Sequence, residues 1–146
     1  MKIRISGTAW VGSLFLMAIL PALASISPWV SEPLQLALMH IFDPFCHQIS
    51  ERSPHVDGAQ LAVCHRCYGI LIGLVVGPIV ALICRGWSGR NARVFVIASL
   101  VPLALDWGLE VLDIWHNSAG SRFLTGAIFG VVAGVLVARA MAWREI

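Results

Sequence analysis

The chain has 146 residues, 58% hydrophobic and 12% charged, with a formal net charge of +2. Soluble domains carry about 25% charged residues, so this composition excludes an ordinary soluble fold, and the small net charge excludes nucleic acid as a partner. The mean hydropathy of +0.82 reads instead as an all-α polytopic membrane protein whose first partner is the lipid bilayer.

Apolar stretches long enough to cross a bilayer, roughly 20 residues each, run over about 9–30, 67–84, 94–112 and 123–141, so residues 1–146 read as a single membrane-embedded helical bundle. The first span is preceded by Lys2 and Arg4, and with Ala22-Leu23-Ala24 it also resembles a signal peptide with a small-residue cleavage site. Its apolar run continues to Val30, longer than the usual h-region of about 7 to 15 residues, which favours a retained span.

The connection 31–66 opens on Ser31-Glu32-Pro33, a helix start with proline in the first turn. Leu34, Leu38, Ile41, Phe42 and Phe45 recur at helical spacing and predict a short interfacial helix that stops near Asp43-Pro44. That helix delivers Cys46 and His47. From Gln48 to Gly58 the residues are polar and turn-forming, so an exposed loop is expected. Cys64-His65-Arg66-Cys67 follows at the start of span two.

Spans two and four carry matching ladders, Gly69, Gly73, Gly77 and Gly126, Gly130, Gly134. Glycine at every fourth position flattens a helix face and lets a neighbour's backbone approach in lipid, so the two spans are expected to pack and to bring Arg66 near Arg122. Cys84, at the far end of span two, reads as a small apolar residue. In span three, Asp106, Glu110, Asp113 and Asn117 are spaced to share one helix face. A carboxylate at the depth of Asp106 costs at least about 2.5 kcal/mol unless paired or hydrated, so it must face the bundle interior. Arg66, Arg122 and His116 are its available partners. Spans one, two and four offer no polar face for a continuous pathway, which argues against ion conduction. Trp10, Trp29, Trp87, Trp107, Trp115 and Trp143 mostly sit near span ends, as interfacial anchors do. Trp107, beside Asp106, is deep enough to wall a site.

Arginine placement orients the bundle. Lys2 and Arg4, then Arg85, Arg90 and Arg93, then Arg139 and Arg144 all fall on one side of a four-span chain. Both termini are therefore expected in the cytoplasm of a cell with an inner membrane, and the connections 31–66 and 113–122 outside it.

Three chemistries fit the cysteines. Cys46, Cys64 and Cys67 with His47 make a familiar ligand set for zinc or another transition metal, His65 or His40 being substitutes. Cys64-x-x-Cys67 is also the spacing of an exchanging disulfide, its thiol pKa lowered by a helix N-terminus and by Arg66. A disulfide from Cys46 to Cys64 or Cys67 would be a structural staple. Spacing alone does not separate them.

Phe45-Cys46-His47-Gln48, the C-x-R-C-x-G-I run from Cys64 to Ile70, the third-span Asp106 and the N-x-x-x-x-R-F-x-T-G run from Asn117 to Gly126 resemble a family of small membrane proteins of bacteria and archaea known as a domain of unknown function. The resemblance runs from the surface helix to the end of span four. It implies that Cys46, His47, Cys64, Arg66, Cys67, Asp106, Asn117 and Arg122 belong to the family pattern, and it brings no activity with it. The architecture is also similar to the quinone-reducing oxidases that regenerate periplasmic disulfide catalysts. Those use a second cysteine pair in the second outer connection, and Asp113 to Arg122 holds no cysteine.

The leading expectation is an outer-face metal site, with Arg66, Asp106 and Arg122 as candidate catalytic groups and Asn117 and Glu110 as candidate cofactor-binding ones. This polar layer would orient ligands or receive an anionic lipid or small-molecule group. The alternatives are a quinone-coupled thiol-disulfide oxidoreductase using Cys64 and Cys67, and a small accessory subunit of a larger membrane complex.

Overall fold

The computed structural model describes residues 7–83 and 89–142. Lys2, Arg4, Cys84, Arg85, Trp87, Trp143 and Arg144 lie outside the described residues, as does the charged segment before span one. The chain is an all-α polytopic membrane protein with four helices long and apolar enough to cross a bilayer: α1 (Gly7–Ile26), α3 (His65–Ile83), α4 (Gly89–Val111) and α5 (Ala119–Ala142). Between α1 and α3 stand the short helix α2 (Glu32–Phe42), a 3-10 turn at Ser50–Arg52, and a small antiparallel hairpin of β1 (His55–Val56) and β2 (Ala59–Gln60). Large apolar side chains such as Phe15, Ile97 and Leu105 point outward. That distribution would be a liability in water and is what a lipid solvent allows.

The axis of the bundle is the α3–α5 pair. Their glycine ladders face each other in parallel register, Gly69 against Phe123 and Ala127, Gly73 against Ala127 and Gly130, Gly77 against Gly134 and Val135. A Cβ on Gly77 would stand 2.6 Å from the Gly134 Cα, so this contact needs hydrogen at that position. α1 turns a narrow buried stripe of Ser13, Met17, Pro21 and Ala24, at helical spacing, into the bundle. The Trp10 indole N–H donates to the Pro78 carbonyl at 3.0 Å, so this tryptophan ties α1 to α3 instead of serving only as an anchor.

Both sides of the α4–α5 connection depart from the sequence reading. α4 does not run on to Asn117. Asp113 adopts a left-handed φ of 56° and its N–H bonds to the Glu110 carbonyl at 3.1 Å, while Ile114 N–H bonds to the Leu109 carbonyl at 3.0 Å. These two bonds form a Schellman cap with aspartate in the position glycine usually holds. Asp113 therefore leaves the proposed acidic face and stands exposed, 3.8 Å from the equally exposed His116. α5 begins earlier than the apolar run. Ser118 Oγ accepts the Ser121 N–H at 3.1 Å and Ser121 Oγ accepts the Ser118 N–H at 3.0 Å. This reciprocal cap places Arg122 inside the first turn of α5. Likewise Arg90 and Arg93 belong to the start of α4, not to the connection before it.

α2 starts and stops where proline and Asp43 indicate, but its apolar residues divide. Leu38 and Phe42 are buried, whereas Leu34, Ile41 and Phe45 point outward. The stretch after it is more ordered than an exposed loop. Asp57 (φ 50°) and Gly58 (φ 83°) form the two-residue turn of the hairpin, the Asp-Gly pair whose positive φ values match strand twist.

Candidate metal centre and the adjoining polar cluster

Cys46 enters the site from the end of α2, where its N–H and that of Phe45 both bond to the Phe42 carbonyl. Gln48 then turns back through a left-handed φ of 49°, and its amide donates to the Met39 carbonyl at 2.6 Å. The Gln60 amide in turn donates to the Gln48 carbonyl at 2.7 Å, so the hairpin and the end of α2 are stitched together. The buried run Leu61, Ala62 and Val63 follows, with Ala62 N–H bonded to the Ala24 carbonyl of α1. This leads to Cys64, which caps α3: its carbonyl accepts the Tyr68 N–H at 2.8 Å, and its own N–H donates to Cys46 Sγ at 3.2 Å. Cys67 follows one helical turn later, facing the same way.

The result is three free thiols, those of Cys46, Cys64 and Cys67, whose sulfurs all lie within 4.8 Å of one another. Cys46 is buried and the other two are half-buried, in a small core built from Ala24, Leu38, Phe42, Ala62 and Val63. Protons are shared unequally. The thiol of Cys64 is held well below its usual pKa, first by a hydrogen bond from Cys46, then by one from Cys67, and further by the backbone N–H groups of Cys67 and Arg66 at the start of α3. Cys46 is pushed the opposite way by the hydrogen bond it gives to Cys64. A thiolate at a helix cap is the electrostatic arrangement that makes cysteine a nucleophile or a metal ligand.

The donor set fits a soft metal ion. Four sulfurs tetrahedrally placed at about 2.3 Å from zinc are about 3.8 Å apart, so the three thiols need to close by about 1 Å at most. His47 does not belong to the group. It follows buried Cys46 directly in the chain, is itself exposed, and is not among the three ligand atoms that gather. His40 is also exposed, and the His65 Nδ1 is engaged with the Arg52 carbonyl at 2.8 Å.

A second cluster lies on another face of α3. Because Arg66 sits between the two cysteines in sequence, its side chain leaves the helix away from them. Its Nη2 bonds to Asp106 Oδ2 at 2.5 Å. Asn117 is buried and is the hub: its Nδ2 donates to Asp106 Oδ2 and the Asp106 carbonyl, both at 3.1 Å, and to Glu110 Oε2 at 2.8 Å. Its Oδ1 accepts from Arg122 Nε. Arg122 Nη2 also reaches Glu110 Oε1 at 2.6 Å, and Arg52 Nη2 approaches the same oxygen at 3.2 Å. The cost of burying Asp106 is offset by a guanidinium and a carboxamide at once.

Cys46, Cys64 and Cys67 thus converge, and Arg66, Asp106, Glu110, Asn117 and Arg122 converge beside them. Asn117 arrives by reversal of the chain after the α4 cap and not by helical periodicity. Trp107 is not a wall of either cluster: it is 55% exposed, its side chain leaving α4 about 100° around the helix from that of Asp106. Sequence reasoning missed Arg52, Gln48 and Gln60. Asp57-Gly58 signalled the hairpin that orders this segment, but no local signal marks Arg52 as a partner of Glu110.

Residues 46–136 match the family described as "Predicted membrane protein (DUF2085)". An uncharacterized protein of the archaeon Methanocaldococcus jannaschii is 29% identical over 99 residues, covering 66% of this chain and 64% of the relative. The chain therefore spans less than two thirds of the length of that curated relative. No solved structure matches it. The family match covers more than half of the chain, which belongs to that family.

Proposed function

We propose that this member of the predicted-membrane-protein family binds a transition-metal ion, zinc foremost, through Cys46, Cys64 and Cys67. The observation that carries the reading is the mutual approach of three free thiols from two separate segments, all within 4.8 Å. Three protein ligands leave a coordination position for water or a substrate atom, the pattern of catalytic and not of closed structural zinc sites. His47, exposed beside Cys46, is the chain's own candidate for that position after rotation of its side chain. Bound zinc supplies Lewis acidity and a water that ionises near neutral pH. The chain's residues hold the ion against α2 and α3, and the Arg66–Asp106 pair fixes the first turn of α3 that carries two of the ligands. The arginine distribution in the sequence supports a single bundle with both termini inside and this end outside the cytoplasm.

Metal analysis of protein purified under reducing conditions, without metal-affinity resin, tests the reading. About one equivalent of zinc or a similar ion is expected, with loss in Cys64→Ser and Cys46→Ser. Less than about half an equivalent in the wild-type protein rejects it. Thiol trapping in cells that finds Cys64 and Cys67 partly oxidised would instead favour the quinone-coupled exchange reaction.

A further inference from the structure

The polar cluster carries an inference that does not rest on the metal reading. Three guanidiniums, Arg52, Arg66 and Arg122, surround two carboxylates, Asp106 and Glu110, with Asn117 neutral at the centre. That leaves one positive charge uncompensated within the cluster, since Asp113 is turned outward toward His116. Its hydrogen bonding is also incomplete. Arg66 Nε is buried and has no partner among the described residues. Leaving a buried donor unmade costs about 1–3 kcal/mol, a penalty that an incoming oxygen acceptor would remove.

Position and surroundings narrow the acceptor. Asp106 and Glu110 occupy the last two turns of the α4 span, which ends at Val111. Just beyond them Leu112, Ile114 and Trp115 are all more than 60% exposed, an apolar and aromatic lip of the kind that dips into the headgroup layer. The cluster is not sealed, for the Arg66 side chain is 19% exposed and that of Arg52 45%. Arginine forks bind phosphate oxygens through paired N–H donors. A phosphodiester carries a single negative charge, equal to the surplus, and its tetrahedral oxygens can meet donors from α3, α5 and the Ser50–Arg52 turn together.

We propose that Arg52, Arg66 and Arg122 form a binding site for the phosphodiester of an anionic lipid headgroup, with the lipid chains lying along α4. Native mass spectrometry of the full chain from dodecyl maltoside tests this, with added phosphatidylglycerol, phosphatidylcholine, diacylglycerol and, separately, inorganic phosphate. Preferential retention of phosphatidylglycerol is expected, weakened at least about fivefold by Arg52→Ala and by Arg66→Lys, the first removing about 1 kcal/mol of attraction to an anionic headgroup and the second keeping the charge but deleting Nε. Thermal unfolding of each variant checks its fold. Arg52 lies on an exposed turn, so Arg52→Ala keeps the test alive if Arg66→Lys fails to fold. Equal retention of diacylglycerol, or unchanged phosphatidylglycerol binding in folded Arg52→Ala, overturns the proposal. Retention of inorganic phosphate without any lipid preference overturns the lipid assignment in favour of a soluble phosphate.

Discussion

Gly77→Ala tests whether the α3–α5 contact is the axis of this fold. The added Cβ would sit 2.6 Å from the Cα and carbonyl carbon of Gly134 and from the Val135 nitrogen, all backbone atoms that cannot swing aside. Carbon atoms in contact prefer about 3.5–4.0 Å, so α3 must withdraw by about 1 Å there. A gap of about 0.5–1 Å forfeits a quarter to a half of the dispersion well for each contact along the ladder, and overpacking of this kind costs about 1–3 kcal/mol. Against this, replacing a helical glycine by alanine gains about 0.5–1 kcal/mol. Gly108 supplies the control, because a Cβ there meets nothing within 4 Å. Gly108→Ala should show only the gain, raising the unfolding midpoint in detergent by a few degrees. Gly77→Ala should lower it by several degrees, using about 2–4 °C per kcal/mol for a chain of this size. Gly77 lies about 20 Å along α3 from Cys64, at about 1.5 Å per residue, so thiol reactivity should be unaltered in both variants. Equal midpoints for the two would refute the close-contact reasoning.

The depressed Cys64 pKa gives a pH signature in metal-free, reduced protein. Thiolate is the reactive form, so alkylation of Cys64 by iodoacetamide should stay nearly constant from pH 8 to pH 6, while Cys46, whose proton is held more tightly, slows as pH falls. Peptide mapping after timed quenching reads this, and parallel slowing of both residues would contradict it. Asn117→Ala removes donors from both Asp106 and Glu110 and an acceptor from Arg122. A loss of about 2–3 kcal/mol is expected from the buried groups left unpaired, measured by thermal unfolding. Ser118→Ala breaks the reciprocal cap of α5 and should cost about 1 kcal/mol, with hydrogen exchange of the first α5 turn rising while that of α3 stays unchanged.

The apolar run lengths, the proline and aspartate that bound α2, and the glycine spacing in α3 and α5 were legible from residue order, because each follows from chain periodicity and from the length a bilayer requires. The close approach of Cys64 and Cys67 was legible too, since residues three apart share a helix face. What only the folded chain decided is what meets those faces. The left-handed Asp113 ends α4 two residues after Val111 and returns Asn117 to Asp106, where periodicity would have carried it onward. The Gln48 turn buries Cys46 against the Cys64 cap and leaves His47 outside. The hairpin places Arg52 over Glu110 from a segment with no apolar pattern to announce it. In each case a single backbone reversal, worth little in local propensity, decides which side chains meet, and those pairings cannot be read from the order of residues alone.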